Sequence, residues 1–255
     1  MRTLHINGMT PPALAIAIAL KEKKLDFHIV DVDWRQTPAA FSSFSDSLEI
    51  PATLEGEFPI LVDDGMALSD SYFVLEYIDD AYPAPSLRPD AAYGQWQLQA
   101  LARFFGERAL PAVSSIGVSQ HFSGVVSTHE VSILFAGAAS LTSERRNAWI
   151  AASQPQDVAL IEESQRKIGL LFHRLDGLLS DGRPWLLGQD YTLSDIAAFV
   201  LVHPFLDGQL DRGDLVISEA VASWRQRVAG RPAVDAALAL REPAFLPGPE
   251  HARWG

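Results

Sequence analysis

The chain has 255 residues and no cysteine, carries a formal net charge of −12, and is 48% hydrophobic and 20% charged. That is the composition of a globular protein with enough apolar mass for a core of its own and room for one or two domains. The lack of cysteine excludes disulfides, thiolate metal sites and a cysteine nucleophile, and it suits a cytoplasmic location. The acidic balance argues against nucleic acid or an anionic membrane as partner and leaves a small molecule. No stretch reaches the length of a membrane span, and the apolar run near the N-terminus lacks the cleavage site of a signal peptide.

In chain order, residues 3–6 (TLHI) read as a strand. "PPALAIAIALKEKK" follows, and its proline pair and its length favour a buried helix over a strand. Residues 27–32 (FHIVDV) form a second strand, and the polar, proline-bearing connector up to Glu57 has room for one short helix. Phe58 to Val62 then reads as a strand, Asp64-Gly65 as a tight turn and Met66 to Leu68 as the returning strand. From Tyr72 the apolar residues Phe73, Val74, Tyr77 and Ile78 keep the spacing of one helix face. Asp70 and Ser71 therefore stand where a sheet edge hands over to a helix N-terminus. Spare backbone N–H groups and the positive dipole end make that a good place for an anion.

After Pro83 the chain is proline-rich and aperiodic, and everything beyond it reads as helical, over roughly 91–121, 156–180, 193–206, 217–229 and 232–241. Residues 123–154 are less regular, with a further helix start at "TSERRNAW", and "SSIG" at 114–117 reads as a break. The division expected is an α/β domain over 1–83, a linker over 84–90, an all-helical domain over 91–245 and an extended tail over 246–255. In "YTLSD", Thr192 and Asp195 have the spacing of a capping box, with Tyr191 and Ile196 as its hydrophobic staple, a structural role and not a catalytic one. His5, His173 and His203 fall within apolar patterns and read as packed residues.

Three motifs in order carry a resemblance: Phe58-Pro59 with the hairpin and Asp70-Ser71, "GQDYTLSDIAAF", and "WRQRVAGRPAV". Together they resemble the cytosolic glutathione transferase superfamily over nearly the whole chain. The fold this implies is a thioredoxin-like α/β domain followed by an all-α domain. Glutathione is the implied co-substrate, with no metal, and a homodimer the implied assembly. By the resemblance, Pro59 follows a cis peptide bond that turns the backbone of Phe58 toward the tripeptide. Asp70 receives the γ-glutamyl ammonium and Ser71 the carboxylate. Arg35, Gln36 and Trp34 are candidates for the glycyl end, although "PATLEGEF" departs from the superfamily's usual approach to this proline.

The implied chemistry needs a glutathione thiolate at neutral pH. Lowering a thiol from about 8.5 by two units takes roughly 2.7 kcal/mol of extra stabilisation of the anion. No tyrosine precedes Tyr72, and Ala13 stands where cysteine-type members carry their nucleophile. Thr10 falls at the serine-type position, with Asn7 in reserve. Thr10 has a rival role as a helix cap that accepts the Ala13 N–H. Pro11 and Pro12 remove two backbone donors from that helix end. The acceptor is expected between the domains, near Met9, Phe104, Arg108, His121 and Phe122, and near Trp254 if the tail folds back.

Within the superfamily the chain looks most like the bacterial β-aryl etherases, which cleave lignin-derived aryl ethers with glutathione. Against that, Pro12 and Ala13 replace the serine or asparagine such enzymes place there. Glutathione-dependent dehalogenation or isomerisation shares the same site. A non-catalytic ligand-binding or regulatory protein of this fold is the alternative.

Overall fold

The computed structural model describes residues 1–33, 58–136 and 143–247. Trp34, Arg35, Gln36 and Trp254 lie outside the described residues. A four-stranded sheet of order β2-β1-β3-β4 forms from β1 (Arg2–Ile6), β2 (Phe27–Asp31), β3 (Ile60–Asp63) and β4 (Met66–Leu68). β2 runs parallel to β1, while β3 is antiparallel to both β1 and β4. The crossover between β1 and β2 is α1 (Pro11–Glu22), and α2 (Ser71–Ala81) follows the hairpin. β3 starts at Ile60 and not at Phe58, because the Phe58–Pro59 bond is cis and Pro59 has no N–H for the ladder.

The helical part comprises α3 (Ala92–Phe104), α4 (Leu110–His121), α5 (Thr128–Ala136), α6 (Ser143–Ala152), α7 (Val158–Leu179), α8 (Leu193–Leu206), α9 (Glu219–Ala229) and α10 (Pro232–Leu238). A π-helical turn over Phe105–Ala109 joins α3 to α4. The break expected at 114–117 is absent, since α4 runs through it. "TSERRNAW" does open a helix, α6. The last helix ends at Leu238, three residues short of the sequence expectation.

The sequence of α1 is apolar all round because both of its faces are covered. It packs on the sheet domain through α2 and on the helical domain through α8 and α10. Its C-terminal Glu22 is buried and takes a two-pronged pair from Arg231, at 2.6 and 2.8 Å. Arg231 in turn lies 3.8 Å over the Tyr191 ring. Asp79 is buried at the end of α2, where it accepts from Lys23, from the Leu87 N–H at 2.8 Å and from Arg88 Nε at 2.8 Å. Residues after Pro83 are therefore fastened to the sheet domain and do not hang free.

The capping box of α8 is present. Asp195 accepts from the Thr192 N–H at 2.9 Å, the Leu186 N–H at 3.0 Å and Trp224 Nε1 at 2.9 Å. Its carboxylate thus ties three chain segments together, although burial raises its pKa. His203 is buried as expected, but His173 is exposed. An apolar helical pattern leaves one outward position per turn, and His173 occupies one of those.

Candidate functional site

One end of the sheet gathers the residues that the motifs single out. β1 and β3 pair His5 with Ile60, and β3 and β4 pair Leu61 with Leu68. Ile6 and Asn7 at the end of β1, Phe58 and Pro59 before β3, and Asp70 and Ser71 after β4 therefore come to the same end of the sheet. Two helix N-termini, of α1 and α2, meet at this edge. They share a narrow crevice lined by Pro11, Pro12, Ser71 and Tyr72 from one side and by Leu110 and Val200 from the other.

Asp70 is the N-cap of α2, and its carboxylate accepts the Tyr72 N–H at 3.1 Å. It does so at φ +62° and ψ 104°, a left-handed conformation that costs a non-glycine residue about 1–3 kcal/mol and tends to be kept at functional sites. The carboxylate stays exposed, so it can serve a ligand as well as its own helix. Burial, with the Asp70 carboxylate beside it, raises the pKa of the Tyr72 hydroxyl, which stays protonated at any physiological pH. Tyr72 packs on the π-helical turn, where a Cβ on Gly106 would come within 3.0 Å of its ring.

Thr10 sits at the N-cap position of α1 with extended backbone, and its hydroxyl makes no capping bond. The rival role of a simple cap is therefore not used. Leu14 N–H bonds to the Thr10 carbonyl, and Pro11 and Pro12 have no N–H. Of the first three residues of α1, only Ala13 carries an N–H. An anion at this end would meet that one N–H, the Thr10 hydroxyl and the positive end of the dipole. His5, partly buried in β1, has its pKa lowered by burial.

The tail crosses the loop between β1 and α1. The Ala244 N–H bonds to the Met9 carbonyl at 3.0 Å, and Met9 and Pro243 form a bridge. Gly8, at φ +104°, leaves no room for a side chain because its Cβ would lie 2.7 Å from that of Ala244. Phe245 then seats on α4, where a Cβ on Gly117 would come within 2.5 Å of its ring, and it stacks on His121 at 5.2 Å. Met9 and His121, both expected at the acceptor pocket, are thus joined through the tail.

Beyond Phe245 lies a second apolar cluster of Val118, Phe122, Val126, Val131, Trp149 and Ala152, with Phe58, Ile150 and Leu246 packed against it. The insertion carrying α5 and α6 therefore reaches the residue before the cis bond. Sequence reasoning missed Trp149, Ile150 and Leu246; the signal was the pair of aromatics, Phe122 and Trp149, bracketing an irregular stretch. Neither Phe104 nor Arg108 belongs to this cluster. Phe104 packs on the main core beneath the Arg174 guanidinium, 4.6 Å from its ring, and Arg108 is exposed on the π-helical turn. The extra residue of that turn rotates the face of α3 relative to α4, which no periodicity count along 91–121 anticipates. Among the described residues, no group of three or more His, Asp or Glu is arranged to hold a metal ion.

Residues 3–80 match the family described as Glutathione S-transferase, N-terminal domain, and residues 129–232 match its C-terminal domain. The chain is 26% identical over 242 residues to Protein LigF of Sphingobium sp., covering 91% of each. It is likewise 26% identical over 239 residues to Disulfide-bond oxidoreductase YfcG of Escherichia coli, covering 90% of this chain and 91% of that one. The crystal structure of β-etherase LigF superposes with a TM-score of 0.80 at 23% identity, over 93% of this chain and 98% of that one. A glutathione transferase homologue from Sulfitobacter, solved with bound glutathione, superposes with a TM-score of 0.62 at 19% identity, over 92% and 96%.

Proposed function

The chain belongs to the glutathione S-transferase family, and we propose that it activates glutathione at the sheet edge between Thr10 and Asp70 for attack on an aromatic electrophile. The observation that carries this is Asp70, held at φ +62° with an exposed carboxylate at the start of α2, at the end of the sheet where the Phe58–Pro59 cis bond lies. On this reading Asp70 pairs with the γ-glutamyl ammonium. The carboxylate next to that ammonium takes the Ser71 N–H and hydroxyl at the helix N-terminus. The Phe58 backbone holds the cysteinyl unit. Arg35 and Gln36 are proposed for the glycyl end. The sulfur lies toward Thr10, whose uncommitted hydroxyl and the Ala13 N–H stabilise the thiolate, with Asn7 two residues along the β1–β3 register.

The acceptor is proposed to lie against Met9, Phe58, Phe122 and Leu246, where the walls are apolar and aromatic. Likeness to LigF, a β-etherase, supports an α-aryloxy ketone as that acceptor. The thiolate sulfur bonds to the carbon bearing the aryloxy group. The carbon–oxygen bond breaks with its electron pair on oxygen, and the phenolate takes a proton from water. The adjacent carbonyl activates the carbon and the phenolate is a modest base. The protein has then to supply chiefly the ionised sulfur and proximity. A helix start stripped of two N–H donors would suffice for such a reaction.

A cytoplasmic location, where thiols stay reduced, belongs to the same proposal, as does a homodimer. Phe73 on α2 is 68% exposed, and Tyr93 and Trp96, stacked at 5.5 Å on α3, are 68% and 59% exposed. Such apolar exposure favours a covering partner.

The test is turnover of two substrates with glutathione, a chromogenic chloronitrobenzene and an α-aryloxy ketone. Glutathione-dependent release of phenol from the ketone is the expected result. Binding of glutathione with no turnover of either substrate would instead favour a ligand-binding or regulatory protein, a reading that the weak set of donors at α1 keeps in view.

A further inference from the structure

Behind the tail, on the side of Pro11 away from the Ser71 crevice, lies a cavity of about 230 Å3. None of Phe58, Pro59, Asp70 or Ser71 lines it. Its walls are Met9, Leu14, Val200, Leu238 and Phe245, all apolar. An engineered protein cavity of about 150 Å3 holds benzene, so this one has room for a single ring with a substituent or two.

The polar end is formed by His203, Asp207, Gln209, Arg241 and Glu242. Arg225 Nη2 stands 3.0 Å from His203 Nδ1. A guanidinium only donates, so Nδ1 accepts and the ring proton is on Nε2. Burial and Arg225 bring the pKa of His203 down to about 4, which keeps the ring neutral. Nε2 lies 3.8 Å from Asp207 Oδ2, too far for a direct hydrogen bond. Asp207 Oδ1 already takes Arg225 at 3.0 Å, and Oδ2 takes Gln209 Nε2 at 3.2 Å with one lone pair to spare.

This end offers one donor and one acceptor separated by the span of a single oxygen that accepts from Nε2 and donates to Oδ2. Arg225 and Arg241 balance Asp207 and Glu242 in formal charge, so neither a carboxylate nor an ammonium gains from entering. A hydroxyl fits both groups, and the apolar walls fit a ring attached to it. We propose that the cavity is a second small-molecule site, taking a single-ring phenol whose hydroxyl bridges His203 and Asp207 while its ring packs among Met9, Leu14, Val200, Leu238 and Phe245.

The cavity shares Met9 with the proposed acceptor position but contains none of the residues proposed to hold glutathione, and its test is run first without any thiol. Calorimetry of the full chain should show phenol binding in the submillimolar range, with toluene, which lacks only the hydroxyl, at least tenfold weaker. Leu238→Trp fills the cavity from its edge and should abolish phenol binding while leaving the thermal midpoint within a few degrees. A second arm needs no variant: S-methylglutathione, which fills the proposed glutathione site without placing a ring against Met9, should in excess leave the phenol isotherm unchanged. Absence of phenol binding, equal affinity for toluene, retention of binding in a folded Leu238→Trp protein, or displacement of phenol by S-methylglutathione would each overturn the proposal.

Discussion

Thr10 is where the chemistry of this chain is most exposed to test. Its hydroxyl makes no capping bond and stands at a helix end whose first two residues, Pro11 and Pro12, carry no N–H. Replacing it by valine keeps the shape and removes the donor. We expect the thiol of bound glutathione to titrate about one unit or more higher in Thr10→Val, a loss of about 1.4 kcal/mol of thiolate stabilisation. Ultraviolet thiolate absorbance against pH measures this, and an unchanged titration would remove Thr10 from the mechanism. A second expectation concerns His203. Its folded-state pKa, about 4, lies below its ordinary value of 6.5, so between those values the unfolded chain binds more protons. Its contribution to stability is complete above pH 6.5 and is lost as the pH falls toward 4. Thermal midpoints should therefore fall more steeply over that window in the native chain than in His203→Asn.

The position of Asp70 at the start of α2 was legible in the sequence because turn and cap chemistry is local: a hairpin signal followed by a small polar pair before a helical pattern fixes it. His173 was misread because one-dimensional patterning cannot tell the outward position of a mostly apolar helix from an inward one.

At the scale of elements, the strands and helices were readable from periodicity, while the contacts between distant segments were not. Gly117 looked like a helix break and is instead the seat of Phe245, a residue 128 positions away in the chain. Gly117→Ala should push the ring off α4 at a cost of about 1–3 kcal/mol. It should raise the KM for the acceptor while the Kd for glutathione holds; a rise in both would mean that the tail supports the whole site. The same blindness hid the placement of the insertion, since nothing in α6 announces that Ile150 packs against the same cluster as Phe58. By contrast, the capping box of α8 was visible as Thr192 and Asp195. Asp195→Ala would leave the Thr192 N–H, the Leu186 N–H and Trp224 Nε1 without an acceptor. Each unpaired donor costs about 1–3 kcal/mol, so chemical denaturation should show a loss of at least 3 kcal/mol or no folded protein.

The whole molecule is a sheet domain and a helical domain sharing one buried helix, α1, with the site at the end where that helix begins. Its two-domain order came from the switch between patterns near Pro83, and its family from three motifs that each belong to a different layer of the fold. Phe73, Tyr93 and Trp96 are exposed, and the proposed homodimer is tested at this scale. Light scattering should give a dimer mass for the native chain and a shift toward monomer in Trp96→Glu; a native monomer would leave that surface to another partner. The central claim is that the edge between α1 and α2 binds glutathione through Asp70. The most direct measurement is a calorimetric titration of glutathione into the native chain and into Asp70→Ala. We expect saturable binding to the native chain at submillimolar to millimolar concentration, weakened at least tenfold in Asp70→Ala, as loss of a charge-assisted pair of about 1.5–3 kcal/mol requires. No heat from the native chain, or equal affinity in the variant, would contradict it.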